Sequence, residues 1–114
     1  MSYFTKNYKA GDVISVAFFP NEENKKQGEP RWVICLEDLG DKFVAVPLKS
    51  DTSDIKHHPK SFIIKQDSEE GISMNLLNDS LVMPDRATNM NKIFVLKEGN
   101  CSEGLIDKLH ELVK

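Results

Sequence analysis

Long apolar runs are missing from this chain of 114 residues. No stretch approaches the ~20 residues that cross a bilayer as a helix. The first nine residues, Met1 to Lys9, also lack the apolar core of a secretory signal. Cysteine is scarce. Cys35 and Cys101 stand far apart without CxxC spacing, which excludes a zinc motif and a disulfide framework and reads as two reduced thiols in a cytoplasmic protein. An excess of positive charge is lacking too: 15 Lys and Arg face 18 Asp and Glu, for a net charge of −3. That balance argues against coating a nucleic acid by charge alone, but leaves room for a local basic patch. Nothing resembles a phosphate-cradling glycine loop or a nucleophile elbow, and no residues have metal-ligand spacing. No cofactor and no metal are expected.

What is there is a series of short apolar runs between polar turns, followed by one amphipathic segment. The length fits one domain, and the order reads as mainly β with a helical appendage. Strands are expected at 12–19, 31–36, 42–48, 61–65, 80–83 and 92–96. In the first, Ile14, Val16 and Phe18 alternate with Val13, Ser15, Ala17 and Phe19. Asn21 to Glu29 and Lys49 to Lys60 are polar loops. The stretch Asp38-Leu39-Gly40-Asp41 is a turn in which Gly40 offers a positive φ. Ile72 to Leu77 is open between a strand and a single helical turn. Ser102 is a candidate N-cap, and Leu105, Ile106, Leu109, Leu112 and Val113 share one helical face. Residues 1–10 are an extension ahead of the first strand.

Three cations, Arg31, Lys49 and Arg86, fall at strand ends or just beyond. In a small barrel such ends converge on a rim, where cations clamp a phosphodiester. Trp32 beside Arg31 offers a stacking surface for a base. His57 and His58 lie in the second polar loop, and histidine suits proton transfer near neutral pH. Adjacent residues do not readily face one phosphate together, so one of the pair at most is catalytic. Asp85, after Pro84, is the strongest carboxylate candidate. Lys25 and Lys26 in the first loop are candidate contacts to an RNA backbone, although Glu22, Glu23 and Glu29 offset their field.

The run Gly11-Asp12-Val13-Ile14 to Phe18-Phe19-Pro20 resembles the opening strand of MazF/PemK-type toxins, the RNA-cleaving halves of toxin–antitoxin pairs. Pro30 with Trp32-Val33-Ile34, the run Val44-Ala45-Val46-Pro47-Leu48-Lys49-Ser50, the run Asp79-Ser80-Leu81-Val82 to Asp85, and Ser102 to Val113 resemble later elements of that family, in the same order. The resemblance covers the chain from Gly11 onward. It implies an SH3-like β-barrel with a C-terminal helix packed on it, a homodimer, a cognate antitoxin, and metal-independent cleavage of single-stranded RNA. Residues 1–114 then form a single MazF/PemK-like domain. Within that reaction the chain's own residues make Arg31 and Lys49 the expected catalytic cations and Asp85 or His57 the expected proton-transfer group. Lys25, Lys26, Trp32, Ser50, His58 and Arg86 are the expected RNA contacts. The chain departs from the family at Glu29, where arginine is usual, at Lys49 in place of threonine, and at Arg86 and Thr88, where the family has glutamine and arginine. These departures define a second reading of another class: a catalytically inactive barrel of the same shape that binds RNA or a protein.

Overall fold

The computed structural model describes residues 4–20 and 28–113, with Phe4, Phe18, Pro20 and Glu29 described by backbone alone. The loop carrying Lys25 and Lys26 lies outside the described residues. The described chain is mainly β. Its strands are β1 (Phe4–Thr5), β2 (Asp12–Pro20), β3 (Gly28–Asp38), β4 (Lys42–Lys49), β5 (Phe62–Ile64), β6 (Ser80–Val82), β7 (Thr88–Asn91) and β8 (Val95–Asn100). Two α-helices, α1 (Glu69–Ser73) and α2 (Glu103–Val113), and two 3-10 turns (Thr52–His57 and Pro84–Arg86) complete it. Seven strands lie in the order β1-β8-β2-β3-β4-β6-β5, and β7 adds to β4. All pairings are antiparallel. No described helix is long and apolar enough to cross a membrane.

β2, β3 and β4 bury both faces, and strand alternation sorts their side chains into two clusters. Val13, Ile34, Leu36, Val46 and Leu48 meet Leu105 and Leu109 of α2, with Met74, Leu76 and Val82. Ile14, Val16, Val33, Cys35, Phe43 and Ala45 form the other cluster, closed by Tyr8 and Val95. Phe19 departs from the expected alternation. Simple period-2 counting puts it opposite Ile14 and Val16, yet it packs with them. The β2–β3 register shifts between Val16 and Phe19, so an irregularity in the ladder turns Phe19 to the other side.

Residues 4–10 join the sheet and the core. β1 pairs with β8 through Phe4↔Leu96 and Thr5↔Val95, and Tyr8 is buried edge-on against Phe43 with 4.9 Å between ring centres. The last strand runs Val95–Asn100 rather than 92–96, because its ladder to β2 extends from Ser15↔Leu96 to Asp12↔Asn100. Of the ambiguous stretch, Ile72 and Ser73 close the short helix α1, which begins at Glu69 with the Ser68 hydroxyl accepting the Gly71 amide at 3.0 Å, and Met74 to Leu77 lie beyond it. Met74 and Leu76 then turn into the core. At α2 the Ser102 hydroxyl accepts the Leu105 amide at 3.2 Å, as the N-cap reading requires. Of the five residues on the expected apolar face, Leu105 and Leu109 are deeply buried and Val113 is exposed. The turn after β3 has Gly40 at φ +90°, as its position suggested.

One feature of the sheet positions the site. β4 keeps β3 along one edge but changes partner along the other: Lys42 to Ala45 pair with β7, whereas Leu48 and Lys49 pair with β6. β6 and β7 act as two pieces of one strand, interrupted at Pro84. Proline has no amide hydrogen to give a ladder, and the 3-10 turn that begins there lifts Asp85 and Arg86 out of the sheet.

Candidate functional site

A cleft of about 270 Å³ opens where β2, β3 and β4 meet the segment after α1. Its walls include Arg31 and Trp32 of β3, Lys49 and Ser50 at the end of β4, and Leu76, Leu77 and Asn78. Ser15 faces in from β2, where it pairs with Trp32 across the ladder. The sheet fixes this arrangement. Arg31 pairs with Val16 and Lys49 with Leu81, so the two cations come from strands anchored on different neighbours yet border one opening. Trp32 is half-buried, with its inner part against the helix-side core. The residues that border the cleft thus include the apolar Trp32, Leu48, Leu76 and Leu77, three serines (Ser15, Ser50 and Ser80), and Arg31 and Lys49.

Behind Lys49 lies a chain in which carboxylates alternate with nitrogen groups. The Lys49 ammonium donates to Asp54 Oδ2 at 2.6 Å. The same oxygen is 3.1 Å from His58 Nε2, and His58 Nδ1 is 3.0 Å from Asp85 Oδ2. Arg86 Nε donates to that Asp85 oxygen at 3.4 Å. The side chains of Lys49 and Asp54 are 28% and 23% exposed, and His58 is only 9% exposed. The Lys49 hydrogen bond, assisted by His58, holds the Asp54 carboxyl below the usual aspartate range against partial desolvation. Burial lowers the Arg86 guanidinium from its ordinary value. Neither Asp54 nor Arg86 is therefore an ordinary solvated charge.

Local structure explains the assembly. The segment expected as a loop forms a 3-10 helix at Thr52–His57, capped by Asp51, whose side chain accepts the Ser53 amide at 3.2 Å. Its side chains are not buried in the core, so no apolar periodicity marks it in the sequence. Asp54 and His58 sit four apart and turn to the same side, meeting one another through Oδ2 and Nε2. The Pro84–Arg86 turn delivers Asp85 from the opposite direction.

Of the residues singled out from sequence, the structure brings together Arg31, Trp32, Lys49 and Ser50 in the cleft, and Lys49, His58, Asp85 and Arg86 in the chain behind it. His57 is exposed and takes no part in either group. Asp85 does not border the cleft; it reaches Lys49 only through His58 and Asp54. Sequence reasoning missed Asp54, for which the i, i+4 spacing to His58 was the available signal, and Asn78 and Leu77, which carry none. Among the described residues, no three His, Cys, Asp or Glu side chains are arranged to hold a metal ion. Comparison with protein-family models gives no match, and comparison with curated proteins gives no match either.

Proposed function

We propose that the chain is a MazF/PemK-like endoribonuclease: an SH3-like barrel, homodimeric, that cuts single-stranded RNA without a metal and is neutralised by an antitoxin. The observation that carries this reading is that Arg31 and Lys49, from separate strands, both border one cleft beside Trp32. The change of partner along β4 supports a barrel, since a strand shared between two pieces of sheet is how a small sheet turns a corner.

The reaction asks little of the protein beyond charge and position. The ribose 2′-oxygen attacks the adjacent phosphorus, the new P–O bond closes a 2′,3′-cyclic phosphate, and the P–O5′ bond breaks. The 2′-hydroxyl gives up its proton and the departing 5′-oxygen gains one. Negative charge builds on the non-bridging oxygens in between, and preorganised cations stabilise it. Arg31 offers a planar fork of donors and Lys49 a compact ammonium. An ammonium has three N–H donors, so the bond to Asp54 leaves Lys49 two for a phosphate. Trp32 supplies a face on which a neighbouring base stacks.

Replacing Lys49 by alanine, or Arg31 by alanine, is expected to slow cleavage of a single-stranded RNA by about 100-fold with the fold intact, the scale seen when one donor to a developing oxyanion is lost. Unchanged rates in both variants would remove the cleft from the chemistry. The rival, a barrel that binds RNA or a protein without cutting, draws on the position of Asp85 outside the cleft. It predicts RNA retained at micromolar protein, with no cleavage and with binding weakened by the same two substitutions.

A further inference from the structure

We infer that Asp54, His58 and Asp85 form a positioning relay that fixes the Lys49 ammonium at the edge of the cleft that Lys49 borders. This rests on the nuclease reading of the cleft but concerns residues that do not border it.

Lys49 is the residue whose placement most needs explaining. It stands at the very end of β4, where the ladder stops, and its flexible stem gives the ammonium many positions. Its half-buried head is held to Asp54 Oδ2 at 2.6 Å. Asp54 in turn lies on a six-residue 3-10 helix with no buried side chain, a weak anchor by itself. His58 supplies the anchor. It ends that helix, its ring is the most enclosed group in the chain of contacts, and both of its nitrogens are engaged, one by Asp54 and the other by Asp85. Asp85 belongs to a turn set between β6 and β7, which both pair with β4. The relay therefore ties the polar helix back to the sheet strand that carries Lys49. It closes a loop of contacts in which each carboxylate lies between two nitrogen atoms.

A residue that merely holds the fold and a residue that positions Lys49 give different results in a double-mutant cycle. Asp54→Asn is expected to lower kcat for a single-stranded RNA about tenfold while KM changes less than about twofold, in keeping with the sensitivity of rate to small misplacements. Asp54→Glu should recover part of that loss. In a Lys49→Ala background, Asp54→Asn should have no further effect. An equal loss in both backgrounds, or none in the first, would overturn the relay. A second measurement does not depend on activity: the Lys49 side-chain resonances by NMR in His58→Gln, a variant with no direct contact to Lys49. The relay predicts that they shift, and unshifted resonances count against it. If the unmodified chain leaves RNA intact while those resonances do move, the nuclease reading fails and the relay stands.

Discussion

Cys35 and Cys101 show at the scale of single residues how environment decides chemistry. Both are free, Cys35 is fully enclosed between strands, and burial pushes each thiol up to about 12. A thiol that high is almost wholly protonated near neutrality and a poor nucleophile. Native protein at pH 8 is therefore expected to leave both unalkylated by iodoacetamide over the period in which urea-unfolded chain reacts at two sites; rapid native labelling would contradict the packing around them. The two adjacent histidines divide in the same way. His58 is enclosed between carboxylates and His57 is exposed. His57→Ala should leave cleavage within about twofold of the unmodified chain, as exposed positions away from a site usually do. Asp38, Asp54 and Asp79 are all held below the ordinary aspartate range, the first two chiefly by lysine hydrogen bonds and Asp79 by the Gln66 amide. A depressed folded value contributes stability that is present above the unfolded value of about 3.9 and lost as pH falls through the folded one. Urea midpoints should accordingly hold from neutrality to about pH 5 and decline below pH 4, and a flat profile down to pH 2 would argue against these pairings.

Among the elements, the turn into α1 is the most tightly specified. A Cβ at Gly71 would lie 2.1 Å from the Lys65 carbonyl and 2.8 Å from that of Gln66, both backbone atoms that cannot move alone. Gly71→Ala is expected to destabilise the fold by about 3 kcal/mol, the upper range for forced overpacking, as read by urea denaturation. Ser102→Ala should remove the cap of α2 for about 1 kcal/mol, with its partner Glu70 also losing a hydroxyl donor at 2.6 Å. How far these elements were legible follows from what holds them. β2, β3, β4 and α2 show in the sequence because burial imposes a period on their side chains. β7 does not: in Thr88-Asn89-Met90-Asn91 only Met90 packs against the core, and the strand stands chiefly by backbone pairing to β4. The Thr52–His57 helix is hidden for the same reason, and Asp54 was hidden with it. The Phe19 reversal needs a register shift that no local pattern announces.

The whole molecule joins parts that the sequence keeps far apart. Arg31 and Lys49 reach one cleft through the β3–β4 ladder, and Asp85 reaches His58 only because β6 and β7 are broken at Pro84. The candidate cations could be named from strand ends alone; their place on one cleft, and the diversion of Asp85 to the relay, depend on pairing between distant segments. The homodimer in the proposal predicts a light-scattering mass of twice the chain at micromolar concentration, and a mass of one chain would count against that part of it. The central claim is that the Arg31 and Lys49 cleft cuts RNA through the ribose hydroxyl. Its most direct test is incubation of a single-stranded RNA with the folded protein in EDTA, followed by end-group analysis, with an oligonucleotide carrying one 2′-deoxy position at the cut site as control. The account predicts fragments ending in 2′,3′-cyclic phosphate and 5′-hydroxyl from the RNA, and no cut at the deoxy position. Intact RNA, or cleavage that persists at the deoxy position, would contradict it.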